Sequence, residues 1–200
     1  MRQFWKRVSS GKYVDLGNLK QDDISIKDIE VSLNNVIRFT GHYADVPPLT
    51  VAQHSMLCLT MAEMFEPDDT ELHMAVFSHD FAEAYIGDVA SPIKKAMGNH
   101  WYNFSEPIER VVEEALLPFD ITPEMHDRVK IYDLASLDIE RRVMWSSQYG
   151  KDKWPASPLN VGSMKDKQDL FDSVADVEWV DLAKIWSGLS EDYMLDMRIK

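Results

Sequence analysis

From the amino end, apolar positions first recur in short runs. Residues 4–17, FWKRVSSGKYVDLG, hold two β-prone runs either side of Ser10-Gly11, and this pattern predicts a small hairpin at the edge of the domain. After the polar turn Gln21-Asp22-Asp23 the period changes. Ile26, Ile29, Leu33 and Val36 recur at near-helical spacing behind Ser25 and predict a first helix over 24–36. The following stretch runs as loop through Pro47-Pro48, which cannot continue a helix. Thr50-Val51-Ala52-Gln53 has the form of a capping box, in which the threonine hydroxyl accepts from the N–H three residues on and glutamine returns the bond. Along the helix it opens, His54, Leu57 or Cys58, Met61 and Phe65 share the inward face, so His54 is a polar residue on an apolar stripe.

Pro67-Asp68-Asp69-Thr70 breaks that pattern and caps a helix carrying Leu72, Ala75, Val76, His79, Asp80 and Ala82; continued one turn, it places Glu83 on the face of His79. Gly87 interrupts it, and 88–92 reads as an irregular segment leading to Lys94 and Lys95. Ser105-Glu106-Pro107 looks like a helix start with proline near the first turn. Ile108, Val111, Val112, Ala115 and Leu116 follow as an amphipathic stripe that Pro118 stops. Thr122-Pro123-Glu124 opens the next helix, whose inner side takes Val129, Tyr132, Asp133, Ser136, Leu137, Glu140 and Met144. Residues 150–162 read as a long loop, and 167–189 as helical, with Phe171, Val174, Trp179, Leu182, Ala183 and Trp186 on its apolar side.

The pattern is therefore all-α with a small N-terminal β-hairpin. At 200 residues and 45% hydrophobic content the chain makes one domain over 1–200: hairpin over 1–20, helical core over 21–147, loop and C-terminal helices over 148–200. A single cysteine, Cys58, excludes an internal disulfide, reads as a core thiol, and favours a reducing, cytoplasmic setting. No stretch has the apolar length of a signal peptide or a membrane span. The net charge of −13 argues against long nucleic acid as partner, so a small anionic substrate would need a local cationic patch or a metal. Six tryptophans and the apolar C-terminal helix permit a homo-oligomer.

The chemistry concentrates in 76–95, VFSHDFAEAYIGDVASPIKK, where His79, Asp80, Glu83 and Asp88 fall within ten residues. Each candidate has an ordinary structural reading: His54 a satisfied core histidine, His79-Asp80 a hydrogen-bonded helix end, Arg38 and Lys94 surface cations. Asp133 and Glu140 lie on a buried stripe, and a buried carboxylate needs a metal, a cation or several donors. For Glu140 the neighbouring Arg141 or Arg142, or a lysine elsewhere, is the expected partner. His54 on one helix, His79 and Asp80 on a second and Asp133 on a third, all inward-facing, would together supply two imidazoles and two carboxylates to one divalent ion, leaving positions open for water and substrate. Co²⁺, Mn²⁺, Ni²⁺, Zn²⁺ and Fe²⁺ all suit that set.

The order H…HD…D resembles the HD-domain phosphohydrolases. The stretches RFTGHY, LTVAQHS, FSHDFAEAYIGDVASPIK and VKIYDLASLDIERR are similar to the 5'-deoxynucleotidase branch of that superfamily, which includes phage dATP triphosphohydrolases. The resemblance covers about 20–145 and implies an HD-domain helical bundle with one divalent ion on His54, His79, Asp80 and Asp133. It implies catalytic roles for Glu83 and Asp88, and phosphate binding by Arg38 and by Lys94 of the Pro-x-Lys segment. Phe39 stands where some relatives carry a tryptophan that contacts sugar or base, and His42 is a further candidate phosphate contact near Arg38. The implied reaction is hydrolysis of the 5'-phosphate ester of a deoxynucleotide, giving deoxynucleoside and phosphate or tripolyphosphate. A (p)ppGpp hydrolase or cyclic-nucleotide phosphodiesterase is the enzymatic alternative, and a non-catalytic nucleotide-binding module the alternative of another class. His73, His100 and His126 are not expected to be ligands: His73 lies on the wrong helical face, and the other two sit in polar, loop-like surroundings.

Overall fold

The computed structural model describes residues 3–42, 46–145, 154 and 156–199. The predicted hairpin is present as β1 (Trp5–Arg7) and β2 (Tyr13–Asp15), antiparallel, with Lys6 opposite Val14. Its turn needs Gly11, whose φ of 90° an L side chain rarely adopts. Val14 is buried, and Asp28 accepts from Ser10 N–H (2.6 Å) and from the Ser9 and Ser10 hydroxyls. That carboxylate stitches the hairpin to the first turn of α1 (Ile26–Leu33).

α1 begins behind Ser25 as expected and stops earlier than the apolar period suggests. Asn34 explains the stop. Its side-chain amide donates to Glu30 O and Val180 O, and its Oδ1 accepts from Val180 N–H, so tertiary bonds replace the next helical turn. α2 (Val51–Phe65) opens with the capping box: Thr50 Oγ1 accepts from Gln53 N–H at 3.2 Å and Gln53 Oε1 from Thr50 N–H at 2.8 Å. Phe65, expected inside, is 43% exposed at the helix end. α3 (Thr70–Ser78) is capped by Asp69 as predicted. It does not continue through Glu83. Phe81 N–H bonds to Ser78 O and Glu83 N–H to Asp80 O, a tighter i→i−3 path leading to the single turn α4 (Glu83–Ile86).

The irregular segment after Gly87 is shorter than expected, because Pro92 enters the first turn of α5 (Ser91–Met97). The next helix, α6 (Asn99–Leu116), starts before the Ser105-Glu106-Pro107 signal and carries Pro107 inside it. Pro107 and Asn103, whose carbonyl loses its usual donor, are both exposed, so water can take that acceptor. α7 (Pro123–Met144) begins behind Thr122 as predicted. Of the loop expected over 150–162, residues 150–153 and 155 lie outside the described residues, and 156–162 form no helix or strand. The expected helix over 167–189 is two helices, α8 (Met164–Ala175) and α9 (Leu182–Ile199). The break between them is held by α1, since Asn34 takes Val180 and Glu30 Oε2 accepts from Ala183 N–H at 2.9 Å. Trp179, read as apolar-side, is 47% exposed in that break.

Two apolar clusters result. One gathers the hairpin, α1, α4, α6 and α9 around Phe77, Phe81, Tyr85 and Trp186. The other lies among α2, α3, α7 and α8, around Leu57, Met61, Tyr132 and Ile139. α2, α3 and α7 pack on one another between them. No described helix is long and apolar enough to cross a membrane.

Candidate metal centre

His54 sits one turn into α2 and is fully buried. Its Nδ1 lies 2.6 Å from Glu140 Oε1 on α7, which makes Nδ1 the protonated nitrogen and turns the Nε2 lone pair toward α3. His79 caps the end of α3. Its Nδ1 donates to Val76 O at 2.7 Å, so its Nε2 lone pair is also directed away from its own backbone. The two Nε2 atoms face each other at 3.4 Å. Asp80 Oδ2 is 3.3 Å from His79 Nε2 and 3.5 Å from His54 Nε2, and Asp133 Oδ1 is 3.6 Å from His54 Nε2.

These spacings are those of ligand atoms around a cation. With metal–ligand bonds of about 2.0–2.2 Å, neighbouring donors are separated by about 3–3.5 Å. Two imidazole lone pairs opposed at hydrogen-bond distance repel unless a proton or a metal ion lies between them, so the donor set fits one divalent ion. The local field agrees. Burial works against a charge on His79, yet Asp80 outweighs it and pushes the imidazole up to about 9. Burial and Arg38 oppose a charge on His54, but Cys58, Glu140 and Asp133 raise it well above the usual histidine value. Asp80 and Asp133 are held below the carboxylate range, burial being overcome by the two histidines.

Glu140 is where expectation and structure part. Its partners are Arg38 Nε (3.2 Å) and His54, not Arg141 or Arg142, which bind Asp138 instead. Arg38 is buried, with Nη1 3.5 Å from Asp80 Oδ2, so it bridges the carboxylate behind His54 to one beside His79. Sequence spacing could not pair residues 38 and 140. Cys58, read as a core thiol, is fully buried one helical turn after His54, with Sγ 3.6 Å from His54 Nε2 and 3.3 Å from Ser136 Oγ. His54, Cys58 and His79 thus also form a compact donor group.

Glu83 is buried. Its Oε1 is 3.5 Å from Lys94 Nζ, and Oε2 has no hydrogen-bond partner among the described residues. Burial, with Asp80 and Asp88 nearby, raises its proton affinity well above that of a free glutamate. Lys94, on α5, lies with its ammonium 5.6 Å from the centre of the Trp101 ring, an aromatic partner that sequence reading missed.

Asp88 Oδ2 accepts from Phe39 N–H at 3.2 Å, and burial raises this carboxyl too. Phe39 and Thr40 both adopt left-handed backbone, with φ of 53° and 55°, a conformation that costs energy for non-glycine residues and concentrates at functional sites. The Phe39 ring packs against Trp145 (5.0 Å between centres) and Trp154 (6.3 Å), with the Arg38 guanidinium over it at 5.3 Å. Neither tryptophan stands out in the sequence as part of a site.

His42 is exposed and closes this turn through its backbone N–H; no described contact brings its ring to the centre. His73 Nε2 is satisfied by Glu66 O at 2.8 Å, and His100 and His126 are exposed on α6 and α7 rather than in loops. A cavity of about 510 Å³ at the far end of α3 is lined by Glu66, Asp68, Asp69, Glu71 and Asp196, a setting that repels anions.

The fold and site define a helical protein whose three packed helices converge histidine and carboxylate donors on one point. No family model matches the chain. Over 136 residues it is 35% identical to the protein YfdR of Escherichia coli K12, spanning 68% of this chain and 70% of YfdR. Over 142 residues it is 28% identical to RCAP_rcc00048 of Rhodobacter capsulatus, spanning 70% of this chain and 72% of that protein. Both relatives are described as uncharacterized proteins. The chain belongs to the family of YfdR.

Proposed function

We propose that this protein is a metal-dependent phosphohydrolase with an HD-domain core, acting on the 5'-phosphate ester of 2'-deoxynucleotides. The observation that carries the reading is the pair of imidazole Nε2 atoms opposed at 3.4 Å, each ring already tied through Nδ1 and each close to Asp80. His54, His79, Asp80 and Asp133 would hold the ion, a nitrogen and oxygen set suited to Co²⁺, Mn²⁺, Ni²⁺, Zn²⁺ or Fe²⁺. When bound, such an ion neutralises phosphate charge and acidifies a coordinated water.

The chain's own residues supply the rest. Glu83, buried with one oxygen unpartnered and a raised proton affinity, suits the general base that takes a proton from the attacking water. Attack forms one P–O bond and breaks the bond to the 5'-oxygen, which needs a proton. Asp88 is the nearby carboxyl whose proton affinity is also raised, and it can supply that proton while its other contact braces the turn behind Arg38. Arg38 and Lys94 keep their charge and draw phosphate into an otherwise acidic site. Glu140 fixes the tautomer of His54 and the position of Arg38 together. The deoxynucleotide part of the reading rests on the resemblance of the four stretches around these residues.

The test is product analysis. Metal-stripped protein is resupplied with Co²⁺, Mn²⁺ or Zn²⁺ and given dATP, dAMP, the other deoxynucleotides and their ribose counterparts. Deoxynucleoside with tripolyphosphate identifies a triphosphohydrolase, and deoxynucleoside with orthophosphate from the monophosphate alone a 5'-nucleotidase. Nucleotide binding without turnover under every metal would overturn the enzymatic reading in favour of a binding module.

A further inference from the structure

The turn that carries Glu83 does not hold itself in place. α4 is a single turn, too short to be stable through its own hydrogen bonds, and Gly87, with φ of 81°, ends it before its last carbonyls find helical partners. Ala84 and Tyr85 are buried, so their carbonyls must be satisfied from elsewhere in the fold. Lys6 on β1 does this. Its ammonium lies 3.0 Å from Ala84 O and 2.8 Å from Tyr85 O, and Ser32 Oγ on α1 adds a second bond to Ala84 O at 2.9 Å.

Packing alone leaves a gap on that side, although Ala84 and Tyr85 are buried in the apolar cluster shared with α1. Between hairpin, α1 and α4 lies a cavity of about 260 Å³, with Lys6, Asp28, Ser32, Asn35 and Tyr85 among its lining residues. The lysine spans this space with two charge-assisted bonds, and Asp28 fixes the hairpin from which it reaches. On the opposite side of the same turn, the Glu83 carboxylate touches Lys94 and leaves Oε2 without a described partner.

We infer that Lys6 is a positioning residue for Glu83: the N-terminal hairpin sets, through Lys6 and the carbonyls of Ala84 and Tyr85, where the general base stands relative to the metal site. This rests on the phosphohydrolase reading. Without Lys6 the Tyr85 carbonyl loses its described donor, the Ala84 carbonyl keeps only Ser32, and the turn relaxes into the cavity, moving Glu83 while His54 and Asp133 stay on α2 and α7 and His79, at the end of α3, keeps its bond to Val76 O.

The test compares wild type, Lys6→Met, Lys6→Arg and Ser32→Ala for kcat, KM and bound Co²⁺ after dialysis. Lys6→Met is expected to keep its Co²⁺ and its KM while kcat falls by up to about 100-fold, the loss that misplacement of a catalytic group by about 1 Å produces. Lys6→Arg, still a donor to both carbonyls, recovers most of the rate. Ser32→Ala, which keeps the lysine, gives the same pattern on a smaller scale and remains informative if Lys6→Met folds poorly. An active wild type matched by Lys6→Met overturns the inference alone, as does a variant that loses Co²⁺ in step with its rate. A wild type without turnover under any metal overturns the phosphohydrolase reading and this inference with it.

Discussion

Asp133 and Asp138 lie on the same helix, five residues apart, and their surroundings differ in kind. Asp138 is 1% exposed and meets Arg141, Arg142 and, from α8, Lys167 at 2.7 Å, so one carboxylate has more permanent cations than it needs. Asp133 belongs to a group with Asp80, Glu140, Glu83 and Asp88, whose nearby permanent cations are Arg38, Lys94 and the surface Lys130, and whose histidines point lone pairs at each other. The first cluster is electrostatically closed and locks α7 to α8. Among the described residues the second has no permanent cation between its imidazoles, which makes it the candidate site. Asp133 is 20% exposed against 1% for Asp138, and what further separates the two clusters is how much permanent positive charge the protein places on each.

The largest effects should fall on the open cluster. His79→Ala is expected to abolish retention of Co²⁺ or Zn²⁺ in dialysis and, with it, turnover. Glu83→Gln should keep the metal and lose about 10²- to 10⁴-fold in kcat. Equal metal loss in both variants would dissolve the distinction between ligand and base.

Asp138→Ala should do the reverse. It leaves three partly exposed cations without their buried carboxylate and should cost about 1–2 kcal/mol in denaturant unfolding while metal retention stays near that of wild type. The acid limb of stability belongs to this cluster as well. Burial works to raise the Asp138 carboxyl, but Lys167, Arg142 and Arg141 hold it below the usual aspartate value. A carboxylate depressed by folding contributes stability that is fully present above the unfolded value of about 3.9 and is lost as pH falls through the folded one. In metal-free protein, Asp138→Asn should therefore flatten stability against pH below about 4, and an unchanged acid slope would show that Asp138 is not the group responsible. The smallest effect is expected at Lys130→Ala. Removing an exposed cation bonded to Asp133 should tighten metal binding by roughly two- to fivefold in a competition titration, with little change in stability. A weaker site would mean that Lys130 orients Asp133 rather than competes with the ion.

Local signals carried much of this chain. The hairpin at Ser10-Gly11, the Thr50 and Asp69 caps and the start of α7 behind Thr122 follow from hydroxyl, carboxylate and glycine chemistry acting within a few residues, and the structure has each of them. The same local rules misplace the start of α6. A proline near a serine has the look of a helix opening, and only an exposed position lets Pro107 sit inside the helix instead. They also join α8 to α9, since the bonds from Asn34 and Glu30 that hold the break come from residues some 150 positions away.

Which chemistry is available can be read along the chain: imidazoles and carboxylates at helical spacing on separate apolar stripes, in a chain too acidic to bind an anion without local help. Side-chain type and helical period are enough for that, because they act over one or two turns. Tertiary structure alone decided who partners whom. It set Glu140 behind His54 and against Arg38, turned Asp88 toward the strained Phe39 backbone, and brought Lys6 across from the hairpin to the turn of Glu83. Those pairings depend on how helices cross and which charges lose their water together, and no spacing along the chain encodes that distance.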